Sequence, residues 1–237
     1  MMVLMIIPAY NEENGILQTV RTLEDLKPRT FTLNYVVVND GSTDRTKEVC
    51  IENKLNYIDL PNNLGIGGAV QTGYKYAHIN NFDVAIQFDG DGQHDARYIA
   101  KLVAEIKSGA DIVIGSRYVA ELSKFRSTPI RRLGIKFLSF LIKICTGTKI
   151  YDPTSGFRAA NKEIIKLFAE EYPIDYPEPD TIVKIIKQGY KTSEIPVEMK
   201  ERSSGKSSLS GPFKAMFYMI KVSIAIIISS VSLRRKK

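Results

Sequence analysis

Tryptophan is absent from the 237-residue chain, and cysteine and histidine occur only twice each. Cys50 and Cys145 form neither a disulfide scaffold nor a metal pattern, and they fit a reducing compartment. His94 has no second histidine or cysteine at ligand spacing, so it reads as a loop residue and not as part of a zinc centre. No G-x-x-x-x-G-K-[ST] run occurs, which excludes a P-loop. Gly65-Ile66-Gly67-Gly68-Ala69-Val70 matches a dinucleotide fingerprint only in part. Val70 stands where the last glycine belongs, and the run does not follow the first strand. The apolar start, Met-Met-Val-Leu-Met-Ile-Ile-Pro, is too short for a signal peptide and lacks its basic opening; it reads as a buried strand. There is no internal repeat.

Hydrophobic residues make up 44% of the chain, enough for one substantial core or a domain with an appendage. The net charge of +7 suggests an anionic partner: phosphates, nucleic acid or an anionic membrane surface. In the first half, short apolar runs at 3–9, 35–40, 57–60, 84–89 and 111–116 alternate with helical patterns near 15–25, 45–55, 66–79 and 98–108. This alternation predicts an α/β fold, a mostly parallel sheet flanked by helices. Ligands of such sheets bind beyond the carboxyl ends of the strands. Polar groups collect at those ends: Tyr10, Asn11 and Glu12, then Asp40 to Asp44, then Asp89 and Asp91.

Asp89-Gly90-Asp91 is the most informative of these. Two carboxylates leaving a buried strand are costly unless something positive meets them. Hard divalent cations take such oxygen ligands, usually together with substrate phosphates. The competing reading is a polar Asp-Gly turn. One of Asp40 and Asp44 is expected to cap the helix at Arg45 while Asp40 faces ligand, and Asp95 is expected to cap the helix near Ala96.

In the second half, residues 151–158 read as a turn-rich loop. A helix near 162–171, a loop with Pro173, Pro177 and Pro179, a helix near 181–188, a strand near 194–199 and a mobile loop over 201–211 follow. Residues 131–145 form a basic amphipathic pattern with Arg132, Lys136, Ser139 and Lys143 on one face, as in helices that lie at a lipid interface. Residues 212–233 are mostly apolar but interrupted by Lys221, so lying flat, dipping into one leaflet and spanning all stay open. The basic tail 234–237 fits anionic headgroups on the cytoplasmic side.

Four runs occur in a fixed order: Ile7-Pro8-Ala9-Tyr10-Asn11-Glu12-Glu13, Val38-Asn39-Asp40-Gly41-Ser42-Thr43-Asp44, Asn63-Leu64-Gly65 with Gly67-Gly68-Ala69, and Phe88-Asp89-Gly90-Asp91-Gly92-Gln93-His94-Asp95. Together they resemble family 2 glycosyltransferases of the GT-A fold. Asp152-Pro153-Thr154-Ser155-Gly156-Phe157-Arg158 and the run from Lys200 to Ser208 narrow the resemblance to the dolichol-phosphate mannosyltransferase-like branch, and the Ser-Ser-Gly-Lys-Ser-Ser region looks like bacterial undecaprenyl-phosphate glycosyltransferases. Processive polymerases of the family use Gln-x-x-Arg-Trp, which a chain without tryptophan cannot carry.

The resemblance implies inverting, metal-dependent transfer of a sugar from a nucleotide-sugar, UDP-glucose or UDP-N-acetylglucosamine, to a polyprenyl phosphate. Pro8, Tyr10, Glu12 and Asp40 would surround the nucleotide. Asp89, Gly90 and Asp91 would lie by the ribose, diphosphate and metal, with Gln93 a third ligand to Mg2+ or Mn2+. Arg117 and Arg131 would hold the acceptor phosphate, and Arg202 and Lys206 would close over the donor. Asp89, Asp91, Arg117 and Arg131 would carry the reaction. Glu178 and Asp180 are the base candidates for a hydroxyl acceptor, though they also suit sugar binding or helix capping. The expected layout is a catalytic domain over 1–211 and a membrane-associated helix and tail over 212–237, at the cytoplasmic face of the membrane. A homo-oligomer or small membrane-protein partner stays open. Nucleic acid is not expected. The alternatives are a family 2 enzyme acting on a hydroxyl and a non-enzymatic basic surface module.

Overall fold

The computed structural model describes residues 1–119, 129–174, 177–199 and 212–232. The expected α/β architecture is present: one seven-stranded sheet, mostly parallel, with helices on both faces. Its strands are β1 (Met2–Ala9), β2 (Thr32–Asn39), β3 (Tyr57–Asp59), β4 (Val84–Gln87), β5 (Ile112–Ser116), β6 (Arg158–Asn161) and β7 (Thr192–Pro196), in the order β3-β2-β1-β4-β6-β5-β7. The helices are α1 (Ile16–Glu24), α2 (Thr46–Glu52), α3 (Gly65–Ile79), α4 (Ile99–Lys107), α5 (Pro129–Thr146), α6 (Lys162–Glu170), α7 (Pro177–Lys187) and α8 (Pro212–Ser232).

The central strands are apolar because helices cover both faces. Val3, Met5 and Ile7 of β1 pack into one core layer with α1 and α4, and Leu4 and Ile6 pack into the other with α3 and α6. β1 pairs in parallel with β2 and with β4, so three polar strand tips stand side by side at one sheet edge. β6 runs antiparallel to both β4 and β5. β5 therefore points the same way as β4 and delivers Arg117 to the same edge.

Two expectations need correcting. Residues 151–158 are not loop throughout, since Arg158 opens β6. Four short residues held between β4 and β5 carry no alternation that a sequence could show. Pro177 and Pro179 are not in a loop; α7 begins at Pro177. A proline costs nothing in a first helical turn, where its missing N–H would have no partner.

Gly67 explains why the run after Asn63 is glycine-rich. A Cβ there would lie 2.1 Å from the Pro173 carbonyl oxygen and 2.2 Å from that of Ile174. Its own N–H donates to the Ile174 oxygen at 3.2 Å. The glycine lets a loop backbone press on the first turn of α3.

α5 and α8 pack on each other and on α7. α8 buries Tyr218, Val222, Ile226 and Ser229 and exposes Met216, Phe217, Ile220, Ile224, Ile227, Ile228 and Val231. α5 buries Ile135, Leu138 and Ile142 and exposes Leu133, Phe137, Phe140 and Ile144. Ser139 is not on the polar face: it is buried and its hydroxyl donates to the Ile150 carbonyl, which satisfies it internally. No described helix is long and apolar enough to cross a membrane.

Candidate active site

The first two strand tips are laced by backbone-to-side-chain bonds. Asn11 adopts a left-handed conformation (φ 57°), which asparagine tolerates better than most residues. Its side-chain oxygen accepts from Thr43 N at 2.8 Å, and its N–H donates to Ser42 Oγ at 3.0 Å. Glu12 N donates to Thr46 Oγ1 and Glu13 N to Asp44 Oδ2. This knot aims Tyr10 outward, 47% exposed, so it is not core packing. Pro8 is buried within β1, and Glu12 is half-buried.

Asp44 takes the helix-start role: Oδ1 accepts from Thr46 N at 2.9 Å. Burial raises its pKa, but the Thr46 hydroxyl and N–H bonds outweigh this, and the net shift is downward. Asp40 is 3% exposed, and Oδ1 accepts from Leu64 N at 2.7 Å, fastening the tip of β2 to the start of α3. Burial raises its pKa, against the pull of the Leu64 and Gly65 N–H groups.

After β4 the chain folds back on His94, which is buried and is not a loose loop residue. Asp89 N donates to His94 Nδ1 at 3.0 Å, and the imidazole stacks on Phe157 with centroids 4.7 Å apart. With Nδ1 accepting, a neutral ring carries its proton on Nε2, 3.6 Å from Asp89 Oδ2. Asp89 also accepts from Gln87 Nε2 at 3.1 Å, and its side chain stays one-third exposed. Asp91 is 4% exposed and accepts from Gln93 N at 3.0 Å, while Gln93 itself is half-buried. The Gly90 carbonyl accepts from Thr19 Oγ1 at 3.0 Å. Asp95 caps the turn Ala96–Tyr98 by accepting from Arg97 N, as expected.

Among the described residues no group of three or more His, Cys, Asp and Glu side chains gathers around a common point. The ligands expected from the sequence, Asp89, Asp91 and Gln93, are two carboxylates and a carboxamide. That set fits a hard divalent cation which takes its remaining ligands from phosphate and water. It does not fit a soft or imidazole-bound metal.

A second cluster lies at the end of β5. Arg117 does not face solvent: it is 7% exposed, with Nε 2.7 Å from Asp152 Oδ2 and Nη2 2.8 Å from Oδ1. Burial works against its charge, and Asp152 more than compensates, so its pKa is raised. Arg131, at the start of α5, has its pKa lowered by desolvation and by the charge of Arg117. The two arginines thus act on each other electrostatically, and the charge of Asp152 acts on both, with its hydrogen bonds going to Arg117.

The 152–158 loop joins the two clusters. Asp152 holds Arg117, and a Cβ on Gly156 would sit 2.7 Å from Gln87 Nε2 and 3.3 Å from Asp89 Oδ2. Arg158, fully buried, donates to the carbonyls of Ser155, Pro153 and Glu178. Glu178 has its pKa raised by burial, against the charge of the Arg158 guanidinium and with a smaller upward push from the charge of Asp89. Asp180 instead accepts from Ser229 and pairs with Lys184 at 3.3 Å, pinning α8. Arg202 and Lys206 lie outside the described residues.

A model of the family described as glycosyl transferase family 2 matches residues 5–168. The chain is 34% identical over 242 residues to a dolichyl-phosphate beta-glucosyltransferase of Trichomonas vaginalis, covering 93% of this chain and 72% of that one. It is 29% identical to a polyprenol monophosphomannose synthase of Mycolicibacterium smegmatis, covering 88% and 81%. A glucosyl-3-phosphoglycerate synthase from Mycobacterium tuberculosis, crystallised with Mn2+, uridine diphosphate and phosphoglyceric acid, superposes with a TM-score of 0.72 at 18% identity, covering 99% and 80%. That likeness carries the fold alone. With acidic tips ranged along one edge of a GT-A sheet and a family match over most of the chain, this protein belongs to glycosyl transferase family 2, in the branch similar to dolichol-phosphate mannosyltransferases.

Proposed function

We propose that the protein transfers a sugar from a nucleotide-sugar, UDP-glucose or UDP-N-acetylglucosamine, to a polyprenyl phosphate, with inversion, at the cytoplasmic face of a membrane. The observation that carries this reading is the shared sheet edge. The acidic tip of β4 and Arg117 after β5 stand at the same sheet edge, bridged by the loop that leads into β6. Relatives named for transfer to dolichyl phosphate and polyprenol support the acceptor class.

Pro8, Tyr10, Glu12 and Asp40 bind the nucleotide around the tips of β1 and β2. Asp89 and Asp91, with Gln93, would hold a Mg2+ or Mn2+ ion, which supplies charge to stabilise the departing diphosphate. Gly90 lets the backbone pass close to Pro8, whose carbonyl oxygen would be 3.2 Å from a Cβ there. Arg117 and Arg131 receive the acceptor phosphate. That oxygen is already anionic, so the residues need only bring two anions together. The raised pKa of Glu178 favours a second reading, a hydroxyl acceptor with Glu178 as base. The test is incubation of the protein with labelled UDP-glucose, UDP-N-acetylglucosamine or GDP-mannose and undecaprenyl phosphate. A labelled lipid labile to mild acid is expected from a UDP-sugar. Label appearing only on hydroxyl acceptors would favour the second reading.

The α5–α8 face fits a lipid surface, because apolar side chains are exposed next to Arg132, Lys136 and Lys221. The protein should float with anionic vesicles, and Phe217→Glu with Ile224→Glu should reduce flotation severalfold without opening the core. Unchanged flotation of the double variant would remove this face from membrane binding.

A further inference from the structure

Glu194 lies on β7, an edge strand, opposite Ile114 of β5, and nothing in its sequence neighbourhood marks it. Both of its carboxylate oxygens are engaged across the fold. Oε2 accepts from Tyr151 N at 2.7 Å, and Oε1 accepts from Asp152 N at 2.9 Å. The Ser116 hydroxyl also donates to it. Ser116 Oγ in turn accepts from Tyr118 N at 3.3 Å. Arg117 is therefore framed on both sides by a hydroxyl that Glu194 holds. Its carboxylate partner, Asp152, hangs from a backbone N–H that Glu194 also holds.

Resting on the polyprenyl-phosphate reading, we propose that Glu194 is a positioning residue for the acceptor phosphate: it locks the two chain segments that carry Arg117 and Asp152 into one register. A neutral side chain could not do the same. Two converging backbone N–H groups and a hydroxyl all require acceptors, and a carboxylate supplies them without any donor. Burial pushes the Glu194 carboxyl up, and these hydrogen bonds offset only part of that rise. A glutamine would turn an NH2 group toward an N–H and leave one donor without an acceptor. The charges of Arg117 and Asp152 both act on Arg131, so a shift of the Arg117–Asp152 pair changes the field at Arg131 as well.

The test is binding by the full-length protein, with Glu194→Gln, Glu194→Ala and Arg131→Ala measured beside the parent. The probes are farnesyl phosphate for the acceptor site and UDP with Mn2+ for the donor site, each by calorimetry. Glu194→Gln should weaken farnesyl phosphate about tenfold and leave UDP within about twofold. Arg131→Ala should also weaken farnesyl phosphate. If Arg131→Ala weakens it and Glu194→Gln does not, the positioning role falls while the acceptor reading stands. If farnesyl phosphate and UDP weaken together, Glu194 is structural only and the proposal falls. If the parent does not bind farnesyl phosphate, or Arg131→Ala leaves it unchanged, the acceptor reading at these arginines falls and the proposal with it. Glu194→Gln keeps the size of the side chain, so it serves where Glu194→Ala fails to fold.

Discussion

Asp91→Asn is expected to lower kcat/KM by about 10²–10³-fold while leaving the fold intact. The substitution is nearly isosteric. The side-chain oxygen that accepts from Gln93 N is retained, so the turn after β4 keeps that bond. What is lost is one negative charge at a buried position, 4% exposed. On this account that charge holds the cation which neutralises the departing diphosphate, and an amide holds a divalent ion far less well than a carboxylate. Kinetics at varied Mn2+ would show the loss as a higher metal requirement, with circular dichroism unchanged. An enzyme that retains parental kcat/KM would take Asp91 out of the site.

The second large effect is on stability. Asp152→Ala should cost about 3–5 kcal/mol in denaturant unfolding. Asp152 is fully buried and accepts two hydrogen bonds from the Arg117 guanidinium, whose further hydrogen bond goes to the neutral Thr154 hydroxyl. Removing it leaves a positive charge 7% exposed with its main counter-charge gone. Such a loss is a large share of the 5–15 kcal/mol typical of a whole domain. Adding Arg117→Met to Asp152→Ala should restore part of the stability, because the stranded charge is then removed as well. A single-variant loss below about 1 kcal/mol would mean that the pair is solvated, contrary to its burial.

These two residues also show what the sequence makes visible. Asp91 is legible because its signal is local. A buried apolar strand ends in two carboxylates with glycines beside them, and neighbouring strands end in polar groups too. The same logic reveals the sheet, since β1, β4, β5 and the Tyr35–Val38 part of β2 lie in short apolar runs. Asp152 is not legible as a partner of Arg117, because 35 residues separate them and only the antiparallel insertion of β6 brings the loop back. β6 itself is hidden, being four residues of mixed character behind a turn-rich stretch.

His94 fails for a related reason. A lone histidine in a polar loop gives no hint that it will stack on Phe157, far along the chain, and accept from the Asp89 N–H. Ser139 falls in line with Lys136 and Lys143 by helical spacing, which cannot tell a polar stripe from a serine that satisfies itself on a buried carbonyl. Glu178 and Asp180 looked equivalent in sequence. The fold separates them: burial raises the pKa of Glu178, while Asp180 is committed to Ser229 and Lys184.

The central claim is that a cation at the β4 tip and a phosphate at the arginine pair act in one transfer. Its most direct measurement compares undecaprenyl phosphate with undecaprenol as acceptor for the purified protein, before and after chelation and with Mn2+ restored. The account predicts a labelled lipid only from the phosphate, lost on chelation and recovered with Mn2+. Equal labelling of the alcohol, or full transfer after exhaustive chelation, would contradict it.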